Sequence, residues 1–310
     1  MSVERFFYHS FPRPRKGQDS DKIGIAILES IARVGLILTP ELLDFQHPDG
    51  LLAAQTRLCL TELQPTEVVE HGRKFGYFSV EIRSEMARRL GALPVMYIPQ
   101  PTHYGPTTYF DDAGFQIIKQ LSETQQVMSF LGEIEKFGEK ARGRLKIQRS
   151  PEHEAIELEV SQIRSLCSNL KHESSFTQIA ATLKGLASLF YTTDNQYSLN
   201  PRLDYYRQRE WRIASDMVTK RGRNSEFLSE EEKSIVKKAN PTFFDCPIDW
   251  SDRKARRIEL CQKLVLEKES WPIFATRMLV PSSVLEKVRA NEAIASLNVP
   301  IEAMPEHRAD

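Results

Sequence analysis

The stretch YYRQREWRI, residues 205–213, sets Glu210 between Arg209 and Arg212 with Trp211 beside it. A carboxylate among guanidinium groups is either a surface ion pair, contributing about 0–1 kcal/mol, or a fixed charge in a site. The backbone decides between the two. As a strand, Tyr206, Gln208, Glu210 and Arg212 share one face and Trp211 and Ile213 the other. Glu210 and Arg212 would then be neighbours on a polar cleft floor, anchored from behind by Trp211 and Ile213. As a helix, charges lie all round, and Tyr206, Glu210 and Ile213 fall on one side. Composition leaves both conformations open.

Other chemistries find little support. His47, His71, His103, His153, His172 and His307 show no HExxH or equivalent spacing, and HPDG at 47 reads as a turn. Cys59, Cys167, Cys246 and Cys261 are widely separated with no CxxC pair, so neither a disulfide framework nor a structural metal is expected. There is no P-loop, GxGxxG or GxSxG, which argues against phosphate-loop ATPases, Rossmann dehydrogenases and α/β hydrolases. Lys+Arg and Asp+Glu both total 42, so any attraction to nucleic acid must be local. The cluster RKARR at 253–257 could meet RNA or a protein partner, or form a solvated helix face.

The elements that would position Glu210 fall into two kinds. RFFYHSF reads as a strand running into the PRPRKG loop, and Asp21 as the cap of a helix that follows Ile23, Ile27, Ile31 and Val34 to Gly35. TRLCLTEL is a second strand, and PTEVVEHGRKFG a helix with a proline start and a glycine stop. In YFSVEI the alternation places Phe78, Val80 and Ile82 on one face of a half-buried strand and Tyr77, Ser79 and Glu81 on the other. RSEMARRLGA predicts a short helix and PVMYIP a short strand.

From Asp111 the spacing turns helical: one helix through Ile118, Leu121, Met128 and Leu131, a second through Ile156 to Leu170, and a third through Ile179, Leu183, Leu186 and Phe190. The basic stretch KARGRLKIQRSPEHE between the first two reads as an exposed connection. Near the end, RKARRIELCQKLVLEKE reads as a charged helix, and FATRMLVPSSVLEKVR as strand, turn and helix capped by Ser282 or Ser283. The expected architecture is α+β: a single domain over 1–310, with a sheet core from 1–110 and 200–290 and a helical insertion at about 111–193. The start MSVERFFYHSFPRPRKG lacks the apolar core of a signal peptide, and no apolar run reaches the roughly 18–20 residues of a membrane span. The expectation is a cytoplasmic protein with reduced thiols.

Three stretches together resemble a known family. LCLTELQPTEVVEHGRKFGYFSVEIRSEMARRLGALPVMYI is similar to the pattern of bacterial AbiGi-type abortive-infection proteins, YYRQREWRI to their Glu-Trp-Arg strand, and RMLVPSSVLEKV to their closing strand and helix. The likeness spans roughly residues 1–100 and 200–290. It implies phage defence and, through related domains, a split mixed sheet like that of ADP-ribosyltransferases, which grips NAD in a cleft. Carried over, the resemblance makes Glu210 the catalytic carboxylate and His9 a ribose contact. Tyr77 or Tyr97 becomes the aromatic that stacks on nicotinamide, and Arg212 a phosphate ligand. Cleaving the nicotinamide glycosidic bond builds positive charge on the ribose, which a fixed carboxylate stabilises. No metal is implied. The same family also contains antitoxin halves of two-component systems, so a second implication is a non-catalytic subunit that binds a toxin or phage-derived protein, with function in the helical insertion.

Overall fold

The structure is a computed structural model of the chain. It describes residues 6–45, 51–98, 109–136, 143–147, 156–169, 175–187, 189–192, 209–215, 218–219, 222–250, 253–265 and 271–305. HPDG at 47, most of the KARGRLKIQRSPEHE connection and Tyr206 with Gln208 lie outside these residues.

The fold is α+β around a mixed ten-stranded sheet. Its strands are β1 (Phe6–Phe11), β2 (Ile37–Phe45), β3 (Leu51–Leu63), β4 (Phe78–Arg83), β5 (Leu93–Pro94), β6 (Glu210–Ala214), β7 (Ser225–Phe227), β8 (Gln262–Leu264), β9 (Ala275–Val280) and β10 (Ile301–Ala303). The main path runs β7-β8-β2-β3-β1-β4-β9-β10, with β6 on β3 and β5 on β6. Among the described residues, the β9–β10 pair is the parallel one in this sheet.

The register explains an unusual feature at the centre. Strand β3 pairs with β2 through Arg57, with β1 from Thr61 to Leu63, and with β6 from Arg57 to Thr61. A strand has two edges. Because β6 overlaps both other partners, β1 and β2 must share the opposite edge of β3, at its two ends. Among the described residues, Leu58 to Leu60 have no ladder partner on that edge, and the sheet splits there.

Side-chain alternation gives the sheet two unlike faces. Phe7, Phe11, Leu58, Leu60, Phe78, Val80, Ile82 and Ile213 join the main core, with Trp211 packed against it. Helix α1 (Ser20–Val34) covers this face through Ile25, Leu28 and Ile31. The opposite face carries Tyr8, Glu81, Arg57, Glu210 and Arg212. It is buried as well: Ser79 and Glu81 of β4 are 1% and 2% exposed, so the strand expected to be half-buried is covered on both sides.

Further elements are α2 (Val68–Phe75), α3 (Tyr109–Lys136), α4 (Val160–Asn169), α5 (Phe176–Ala187), α6 (Glu230–Ala239), α7 (Pro241–Phe244), α8 (Arg257–Leu260), α9 (Leu285–Arg289) and α10 (Glu292–Ala295). The block at 111–193 thus contains the three expected helices. It also holds a hairpin, Arg144–Ile147 with Ile156–Glu159, and a strand, Phe190–Thr192, that lies parallel to Met96–Ile98. Ile156 and Phe190 are therefore strand residues, because these short segments find pairing partners that helical spacing does not reveal.

Three local expectations are corrected. The cap of α1 is Asp19, whose carboxylate accepts the Lys22 N–H at 3.0 Å; Asp21 instead accepts the Ser283 hydroxyl at 3.1 Å. That engagement removes Ser283 as a cap, and Ser282–Val284 forms a 3₁₀ turn ahead of α9 with no side-chain cap. Residues 253–264, expected as one helix, form a strand at Arg253–Arg256, the single turn α8, and β8. Ladder pairing of β8 with Leu38 and Ile37 outweighs helix propensity in that segment.

Gly24 lets α1 approach the sheet, since a Cβ there would lie 2.2 Å from Cε2 of the buried Phe78 ring. Gly24→Ala improves helix propensity by about 1 kcal/mol but overpacks the core, at a cost of roughly 1–3 kcal/mol. Urea denaturation is expected to show net destabilisation; a gain in stability would show that the helix can move off the sheet freely.

Candidate functional site

The split at Leu58–Leu60 opens into a cavity of about 610 Å³, lined from both sides of the divided sheet. The first strand supplies one wall. His9 stands at the point where β1 leaves β3, and its Nδ1 lies 3.0 Å from the Cys59 carbonyl oxygen. The side chain thus replaces the missing ladder bond. Burial lowers the His9 pKa, only partly opposed by that carbonyl, so the neutral ring with Nδ1–H donating fits the geometry.

Strands β3 and β6 supply the polar floor. Glu210 lies directly opposite Thr61, and Arg212 opposite Cys59. The backbone is a strand here, which answers the question that composition left open. Arg212 Nε donates to Glu210 Oε1 at 2.9 Å, and the Tyr97 hydroxyl donates to Glu210 Oε2 at 3.0 Å. Burial, then the Glu210 carboxylate, raises the Tyr97 pKa well above its ordinary value, so the phenol remains a donor. Glu210 lines the cavity while both its oxygens are held.

Arg209 fixes the entry into this strand. It has φ 45°, a left-handed conformation uncommon outside glycine, and its Nη2 bonds Glu67 Oε2 at 2.6 Å. Glu67 Oε2 also accepts the Gln64 N–H at 2.7 Å in the capping box before α2. The start of β6 is thereby tied to the start of α2.

Several floor and wall residues carry no sequence signal of their own. Arg57 is 1% exposed; it bonds Gln55 Oε1 at 2.6 Å and the Glu41 carboxylate. Burial alone would raise the Glu41 pKa, but the Arg57 charge and hydrogen bond bring it below the ordinary value. Gln55 in turn donates to the Ala187 carbonyl at 2.8 Å, joining the floor to the end of α5. Burial, then Glu210 and Glu41, pushes the Cys59 thiol up to about 12, which makes it a poor nucleophile at neutral pH. Alternation within TRLCLTEL could have pointed to Arg57, Cys59 and Thr61 as one face; nothing local could have paired Arg57 with Glu41.

Of the residues singled out from sequence, Glu210, Arg212 and Tyr97 form one hydrogen-bonded group, and His9 lines the same cavity. Tyr77 stands apart. It precedes β4, is 39% exposed, packs beside Gly72 and is not among the described residues lining the cavity. Among the described residues there is no group of three or more His, Cys, Asp or Glu placed to hold a metal, and no helix long and apolar enough to cross a membrane. Comparison of the chain with family models, curated proteins and solved structures finds no match.

His71 of α2 lines the cavity and stacks on Phe75 with centroids 4.4 Å apart. Burial, then Lys74 and Arg13, brings its pKa down to about 4. Since the unfolded ring titrates near ~6.5, the unfolded state takes the proton first on acidification. Stability should be constant above about pH 6.5 and fall between there and about 4, by on the order of 3 kcal/mol in total. Thermal melts from pH 7 to 5 are expected to drop less steeply for His71→Asn; parallel curves would remove His71 as the source.

Proposed function

We propose that the cleft is an NAD-using transferase site of a phage-defence protein, with a fold related to that of ADP-ribosyltransferases. The observation that carries the reading is the held carboxylate: Glu210, at the wall of a cavity of ligand size, with one oxygen on Arg212 and the other on Tyr97. The stretches that resemble AbiGi-type proteins contribute to β3, β4, β6 and β9 of one sheet; β3 carries the split, and β6 supplies Glu210 and Arg212 to its cavity.

NAD, when bound, supplies a glycosidic bond whose cleavage develops positive charge on the ribose. Glu210 is suited to stabilise that charge because its position is set before the ligand arrives, so little reorganisation is needed. Arg212 and Tyr97 act as positioning residues for it. Arg212 is buried and spends its Nε on Glu210, so its first role is orientation rather than direct phosphate contact. His9, neutral and fixed through Nδ1, leaves Nε2 as an acceptor for a ribose hydroxyl. Tyr97 acts through its bond to Glu210; like Tyr77 it is not among the described residues lining the cavity, and neither tyrosine takes the stacking role in this reading.

A second reading rests on a different surface. Ile117, Val127 and Phe130 of α3 are 48%, 53% and 43% exposed, which suits a helical block that contacts a protein partner such as a toxin.

Isothermal titration of the protein with NAD, followed by assay for free nicotinamide, separates the two. Binding with release that Glu210→Gln lowers by roughly 100-fold or more, with the melting temperature kept, is the expected result. A folded protein that neither binds NAD nor releases nicotinamide would return Glu210 to a structural role and favour the α3 surface.

A further inference from the structure

The charges along the cleft are unevenly matched. On the floor, Arg57 faces Glu41 and Arg212 faces Glu210. Arg13, in the loop between β1 and α1, and Arg257, at the start of α8, also line the cavity, and no carboxylate among the described residues forms an ion pair with either. Arg13 is close enough to lower the pKa of both Glu41 and His71. His71, neutral above about pH 4, adds no charge to this end.

Both arginines are held by aromatic rings instead. The Arg13 guanidinium carbon lies 5.3 Å from the Phe75 centroid, and that of Arg257 lies 4.0 Å from the Phe243 centroid. Each ring is buttressed in turn, Phe75 by His71 at 4.4 Å and Phe243 by Phe244 at 4.9 Å. Stacking engages the flat face of a guanidinium and leaves its N–H edge for a planar or tetrahedral oxyanion. Arg257 Nη1 donates to the Phe243 carbonyl at 3.3 Å, while its Nε is buried without a hydrogen-bond partner. A nearby anion would stabilise that uncompensated charge.

We infer that Arg13 and Arg257 form a clamp for the diphosphate of a small nucleotide ligand. The volume, about 610 Å³, is within the range of small-molecule sites and favours a nucleotide over a polymer. As the recognition end of the same cleft, the clamp rests on the proposed reading for which cleft is used, and not on chemistry at Glu210.

The test is titration of the full chain with ADP, which lacks nicotinamide and needs no reaction, and competition by inorganic pyrophosphate. ADP is expected to bind more weakly as salt rises, pyrophosphate to displace it, and Arg13→Gln and Arg257→Gln each to weaken it by about tenfold. Arg257→Lys, which keeps the charge and loses the stacked fork, should recover only part of the loss. Arg13 is exposed, so its variant carries the test if Arg257→Gln fails to fold. Absence of ADP binding by folded protein, or affinity unchanged in the folded variants, overturns the clamp. Clamp-dependent ADP binding without nicotinamide release from NAD removes the transferase reading and leaves the clamp. Release that survives both arginine substitutions does the reverse.

Discussion

Arg57 and Arg212 are withdrawn from water in the middle of the sheet, each 1% exposed, and much of the surrounding arrangement follows from neutralising them. A buried guanidinium without a partner costs several kcal/mol. Arg57 therefore draws Glu41 from β2 and Gln55 from its own strand, and Arg212 draws Glu210. Gln55 extends the network to α5 and Glu210 extends it to Tyr97. One polar floor thus connects three strands of the sheet to the helical block and to the strand Met96–Ile98.

The split in the sheet and this floor support each other. An unbroken ladder beside Leu58–Leu60 would close the space that Glu210 and His9 now face. An apolar floor would collapse into it, because dry apolar surfaces pack to high density. Where β1 departs, His9 takes over one backbone acceptor, so the divergence does not leave the Cys59 carbonyl unsatisfied. The left-handed Arg209 and its bond to Glu67 then hold β6 against α2 at the same end. The result is a cavity whose floor charges are internally paired and whose rim arginines rest on aromatic rings, two environments suited to different parts of one ligand.

Much of the sheet was legible in the chain. Strand alternation in YFSVEI separates Phe78, Val80 and Ile82 from Ser79 and Glu81, as the structure does. The glycine stops at Gly35 and Gly76 end α1 and α2 as expected. The same alternation placed Glu210 and Arg212 together once the strand conformation was granted. What was not legible had a common cause. The helix read over residues 253–264, and the helical positions given to Ile156 and Phe190, failed because short strands are stabilised by partners distant in sequence, which periodicity cannot register. The cap was misplaced by two residues because Asp19 and Asp21 are chemically equivalent, and only the contact with Ser283 distinguishes them.

By itself the sequence determined the faces of the strands, the glycine stops of α1 and α2 and the local juxtaposition of a carboxylate with arginines, since these follow from side-chain type and backbone period. Only the tertiary structure decided that Arg57 meets Glu41, that Tyr97 reaches Glu210 across 113 positions, that Tyr77 lies elsewhere, and that two strands share one edge of β3 to leave a cavity. Those facts depend on how distant segments share the burial of charge and the pairing of backbone groups, and no spacing along the chain encodes them directly.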